Sequence, residues 1–164
     1  DLLTNAGIVH WIAGGWGIDA LVGSQTRAHS DLDLHISSSD AAAVRDLLAE
    51  TGYSVAKDEL PFRVEMVHPS GGRVDLHPFH LDNEGSARSR MKNGGWWIFD
   101  QEALSGVGAI AGRSVRCVSV TEQIHSHLEF EPRPIDRADM ALLTAHFSIP
   151  PPRPYWPRPC SGRG

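Results

Sequence analysis

Apolar and polar positions alternate along some stretches of this chain and recur at helical spacing along others. Residues 2–8 read as the end of a helix and 9–13 as a buried strand. A short helix over 16–22 closes on Gly23, a residue suited to the left-handed turn that follows a helix. Residues 32–36 form a second strand. Asp40 stands at the N-cap of a helix over 41–50, whose Val44, Leu47 and Leu48 share one face and which ends at Gly52. Strands over 62–68 and 73–78 alternate on either side of Pro69-Ser70-Gly71-Gly72, a hairpin signal. Residues 80–112 are glycine-rich and carry one strand-like run, 96–99; a further strand covers 114–118. Thr121 with Glu122 opens a helix to about residue 130, and 136–146 forms the last. From Pro150 the proline content predicts an extended tail. The class is α+β, with a catalytic domain over 1–118, a helical appendage over 119–148 and a Pro-rich tail over 149–164.

Composition narrows this picture. The 164 residues suffice for one domain with a real core, and no apolar run approaches the ~20 residues of a membrane span. No basic segment leads into an apolar one, so no signal peptide is expected. A formal charge of −5 argues against a broad nucleic-acid surface and suits a cationic small substrate. Cys117 and Cys160 make neither a disulfide framework nor a zinc pattern, which fits a cytoplasmic location.

The chemistry concentrates in Gly14-Gly15-Trp16-Gly17-Ile18-Asp19 followed by Ser30-Asp31-Leu32-Asp33-Leu34. Side chains two apart on a strand share a face, so Asp31 and Asp33 project together while Leu32 and Leu34 enter the core. Adjacent carboxylates repel unless a cation lies between them, and hard oxygen donors suit Mg²⁺. The Gly-Gly turn leaves backbone N–H groups free to approach a phosphate. Arg73-Val74-Asp75-Leu76-His77 repeats the device. If its strand lies beside the first, Asp75 completes a cluster able to hold divalent ions and a triphosphate. Glu65 either accepts a proton from a hydroxyl nucleophile or pairs with Arg63. Arg27 and His29 are candidate phosphate contacts, His77 and His80 candidate substrate contacts, and Trp96 with Trp97 candidate walls of an apolar pocket. Asp82, Glu84 and Asp100 pull instead toward an acidic pocket. His125, His127 and Glu129 do not share a helix face and make no metal site.

These stretches resemble the DNA polymerase β-like nucleotidyltransferase superfamily, whose sign is Gly-Gly, a helix, Asp-x-Asp and a later acid on a strand. Within it the chain is most similar to short lincosamide nucleotidyltransferases, then to aminoglycoside 2″-nucleotidyltransferases. Further matches are 60–65, 74–86, 110–117 and 136–143. The resemblance implies a mixed sheet flanked by helices and transfer of AMP from ATP to a hydroxyl of a small-molecule antibiotic, a lincosamide first and an aminoglycoside as the alternative. It implies Mg²⁺ on Asp31, Asp33 and Asp75, with Asp75 or Glu65 as the base. It puts Gly14, Gly15 and Arg27 at the triphosphate, with Trp16 and His29 as further candidate nucleotide contacts. Short members often form homodimers. A minimal nucleotidyltransferase toxin that modifies RNA or protein is the rival enzyme, although the acidic charge counts against RNA.

Overall fold

The computed structural model describes residues 1–82, 86–100 and 102–155. Glu84 and the tail from Trp156, with Cys160, lie outside them. The elements in chain order are α1 (Leu2–Asn5), β1 (His10–Ala13), α2 (Gly14–Val22), β2 (Leu32–Ser37), α3 (Ala41–Glu50), β3 (Ser54–Glu59), β4 (Arg63–Val67), β5 (Arg73–Leu81), β6 (Ala87–Arg90), β7 (Trp96–Ile98), β8 (Gly106–Ile110), β9 (Arg113–Cys117), α4 (Val120–Ser126) and α5 (Pro134–His146). The strands form one mixed sheet in the order β3-β4-β5-β2-β1-β9-β8, with β6 on β5 and β7 on β6.

Leu34, Ile36, Val74, Leu76, Val64 and Met66 alternate onto one sheet face, where they pack with Val44 and Leu48 of α3. Leu76, Ile36 and Val44 are fully buried. At about 25 cal/mol per Å² of apolar surface removed from water, this layer is the main stabilising element of the sheet. On the opposite face Phe79, Ala87, Phe99 and Ala103 form a smaller cluster with Trp11, Trp97 and Leu104. A third cluster, Ile18, Met140, Leu143 and Tyr155, ties α5 to α2.

The outer edge of β5 changes partner along its length. β4 pairs with it from Arg73 to Leu76, and β6 from Phe79 to Leu81. Pro78, between the two, has no N–H to leave unpaired at the break.

Several elements differ from the sequence reading. β3 escapes the pattern because it is an edge strand exposed along nearly its whole length, with no apolar period to mark it. β8 escapes because its glycines hide the alternation; a side chain at Gly108 would overlap the backbone of Ala20 in α2. α4 starts at a Ser119 cap, which accepts from the Glu122 N–H at 3.2 Å, and ends at Ser126 rather than near 130. Asp40 precedes α3 without a side-chain capping bond. The tail is not simply extended. Tyr155 is buried, and its hydroxyl donates to the His127 carbonyl at 2.7 Å. Among the described residues no helix is long and apolar enough to cross a membrane.

Candidate active site

Strand register assembles the site. β2 and β5 run parallel with Asp33 opposite Asp75 and His35 opposite His77. β4 runs antiparallel on the other side of β5 with Glu65 opposite Asp75. Partners directly opposite share a face, so Glu65, Asp75 and Asp33 form a row across three strands, on the side away from the Leu76 core. Donor atoms of Asp33, Asp75 and His77 all lie within 4.8 Å of one another.

The carboxylates are held rather than free. His77 Nε2 lies 3.0 Å from Asp33 Oδ1. Burial works against the charge on Asp33, but the bond and charge of His77, with His35 and Arg63, outweigh it and hold the carboxyl below its ordinary value. Arg63 donates to Asp75 at 2.7 Å and to Glu59 at 3.1 Å. Asp75 is only 7 % exposed, and burial, reinforced by the charges of Asp33 and Glu65, raises it despite Arg63. His35 lies beneath, in ring contact with His77 and Phe99. Burial pushes its pKa down to about 3, so it stays a neutral imidazole, and its Nδ1 has no partner.

The glycine turn closes one side. Gly14 has φ +58°, and any Cβ there would overlap the Asp33 carboxylate, so glycine is required on two counts. A side chain at Gly15 would overlap Arg27 and His29, which pack directly on the first turn of α2. Arg27 is gripped by Asp139 of α5 through two bonds, of 2.9 and 2.7 Å. His29 bonds Asp19 and stacks on Trp16, with ring centroids 4.7 Å apart. Gln123 of α4 donates to the Gly14 carbonyl at 3.1 Å.

Some expected site residues lie elsewhere. Pairing of β2 begins at Leu32, so Asp31 sits just outside the ladder. It is exposed, takes a bond from Ser30 at 3.1 Å, and does not join the cluster of Asp33, Asp75 and His77. Glu65 is engaged by Arg73 and lies 3.9 Å from Arg63. His80 and Trp96 face the other way, because His80 pairs with Arg88 and Trp96 with Arg90, out of phase with Phe79 and Ser89. Trp96 is covered by the guanidinium groups of Arg88 and Arg90 at 4.7 and 3.8 Å. Trp97 takes the inward position. It donates to Glu122 at 2.8 Å and lies against His125. Sequence reasoning missed Glu122, Gln123 and Asp139. All three are polar residues buried in α4 and α5, where the available signal is a charged or amide residue at a core-facing helix position.

Comparison with known proteins bears on this geometry. Residues 1–143 match the model of the aminoglycoside-2″-adenylyltransferase family. The chain belongs to that family. A lincosamide resistance protein of Staphylococcus haemolyticus is 29 % identical over 143 residues, 87 % of this chain and 88 % of that protein. A 2″-aminoglycoside nucleotidyltransferase of Klebsiella pneumoniae is 32 % identical over 110 residues, 66 % of this chain and 57 % of that one. The crystal structure of a lincosamide antibiotic adenylyltransferase bound to lincomycin superposes with a TM-score of 0.81 at 28 % identity, covering 89 % of this chain and 92 % of that chain. Relatives in the aminoglycoside-2″-adenylyltransferase family are named as nucleotidyltransferases, so a nucleotide substrate and a divalent metal are implied. The donor set fits such an ion. Two carboxylates in register, with His77 beside them, bring donor atoms within 4.8 Å of one another, and the carboxylate oxygens match a hard divalent ion.

Proposed function

We propose that this protein transfers AMP from ATP to a hydroxyl of a small-molecule antibiotic, with a lincosamide as the leading acceptor. The observation that carries the reading is the Asp33–Asp75 register beside the Gly14 turn. The likeness to a lincosamide resistance protein along nearly its whole length supports the acceptor class. The aminoglycoside alternative draws on the family model and on the aminoglycoside relatives.

The chain's own groups divide the work. Backbone N–H groups at Gly14 and Gly15, at the positive end of α2, receive the triphosphate, with Arg27 and His29 beside them. Asp33 and Asp75 would hold Mg²⁺, with Asp31, exposed just before the ladder, as the further ligand the resemblance implies; the bound ion would supply neutralisation of charge developing on the transferring phosphoryl group. His77 keeps Asp33 oriented. Asp75 takes the acceptor proton in preference to Glu65, whose carboxylate is already engaged by Arg73. The arginine on Asp75 is shared with Glu59, and the raised pKa of Asp75 suits a base. Acceptor contacts pass to His77 and Trp97 instead of His80 and Trp96. A homodimer and a cytoplasmic location belong to the same proposal.

Incubation with ATP, Mg²⁺ and lincomycin, clindamycin, kanamycin or tobramycin, followed by mass spectrometry, tests it. One added AMP on a drug supports the reading, and the drug that gains it selects the acceptor class. Label on tRNA or on protein, with every drug unmodified, overturns it.

A further inference from the structure

Glu122 is a buried carboxyl with no part in the phosphoryl chemistry. It is 3 % exposed, at the start of α4. One oxygen accepts from Trp97 Nε1 at 2.8 Å, and the other has no hydrogen-bond partner. Over that free oxygen stands His125, its Nδ1 4.0 Å away and its side chain 52 % exposed. The His125 ring lies on Trp97 with centroids 4.4 Å apart. A carboxyl with one unpartnered oxygen beside a pair of touching aromatic rings has the makings of an ammonium receptor, because ring faces and a carboxylate both attract a cation.

Its place in the sheet links it to the reacting centre. Trp97 pairs with Ser89, and Ser89 with Phe79, which shares the Asp75 face of β5 four residues further on. Four strand residues span about 13 Å and two strand spacings about 10 Å, so Trp97 stands roughly 16 Å from Asp75 along the sheet. A drug bridging the two would span a distance of that order. The next residue on α4, Gln123, holds the Gly14 carbonyl. One helix therefore touches both Trp97 and the Gly14 turn.

We propose that Glu122, with Trp97 and His125, is the receptor for the basic nitrogen of the acceptor, fixing the drug at its far end while its hydroxyl meets Asp75. This rests on the antibiotic-transfer reading. The free oxygen is closed off beneath the half-exposed His125 ring, so binding swings that ring aside to admit an ammonium, and Glu122 ionises, releasing its proton to solvent, as the cation arrives. Burial holds the empty site's carboxyl up at about 7, against the Trp97 bond, with Asp100 adding to the rise. The charged or titratable groups facing it are thus His125 and Asp100, and neither makes a hydrogen bond to the free oxygen.

Isothermal titration of the protein with lincomycin and with kanamycin, in two buffers of different ionisation enthalpy, tests this without any transfer step. Wild type is expected to bind at least one drug with release of a fraction of a proton near about pH 6 and none near about pH 8. Glu122→Gln keeps the acceptor for Trp97; it should lose that release and weaken binding at least about tenfold, the loss of one charged contact. In the transfer assay the same variant should raise drug KM with kcat and ATP KM little changed. Binding without proton release by wild type overturns the proposal, whether or not the variant folds. So does equal affinity of the variant, or no binding of either drug. AMP transfer by wild type with unchanged drug KM in Glu122→Gln removes the receptor and leaves the function standing. Drug binding with proton release but no transfer removes the function and leaves the receptor.

Discussion

The two faces of the β2–β5 pair are built from the same residues in alternation and behave as different materials. Leu34, Ile36, Val74 and Leu76 face an apolar layer where each side chain is closed off by neighbours of similar polarity. Asp33, His35, Asp75 and His77 lie on the opposite face, where a buried carboxyl is raised, a half-buried one is depressed and an imidazole is held neutral. The hydrophobic face fixes the register, since a one-residue slip would exchange the two sets. The polar face inherits its geometry from that register. Placement of the chemistry is therefore a by-product of packing on the other side of the sheet.

The sharpest way to break the comparison is to change one member of each face. Asp33→Asn should lower kcat by about a thousandfold or more, through lost metal ligation and charge neutralisation, with little change in melting temperature. Steady-state kinetics beside a thermal melt checks this, and retained turnover would sink the assignment. Leu76→Ala should do the reverse. A fully buried leucine in a packed layer costs about 3 kcal/mol when truncated, seen as a lower denaturation midpoint, while kcat is largely kept below the transition.

A third test concerns pH. The folded pKa of Glu122 is raised from 4.5 to about 7, so between those values the folded state holds a proton that the unfolded chain has released. Its contribution is present in full below pH 4.5 and is lost as pH rises through about 7, an effect of at most about 3 kcal/mol. His35, with its pKa lowered to about 3, acts in the opposite sense, so the readout is the difference between wild type and Glu122→Gln in urea titrations across that range. Wild type should lose stability relative to Glu122→Gln steadily as pH rises from 4.5 toward 7; a constant difference would rule out the buried acid.

Smaller effects separate the two candidate bases. Asp75→Asn should cost about a hundredfold in kcat, with a lesser change in nucleotide affinity. Glu65→Gln should cost less than about tenfold, because that group already serves Arg73. The reverse order would move the base to Glu65.

How much of this was legible beforehand follows from the same alternation. Asp33, Asp75 and the Gly14 turn were readable because each stands out against an apolar period. Asp31 has the same period but stands one residue before the ladder, so periodicity overstated its place. Trp96 and Trp97 are adjacent; one faces the site side and the other turns away, and choosing between them required the β6–β7 register, which a glycine-rich segment does not encode. β3 and β8 were hidden for different reasons, one exposed along nearly its whole length and the other interrupted by glycines. The helical acids Asp139 and Glu122 owe their roles to partners 112 and 25 residues away. No local signal reports contacts at such separation.

The change of partner along β5 divides its outer flank between two separate hairpins, β3–β4 and β6–β7, meeting at a prolyl notch. Insertions or new side chains in either hairpin can remodel the rim without shifting the rungs that carry the acids. Selection for a new drug has two independently adjustable jaws to work on and one fixed anvil.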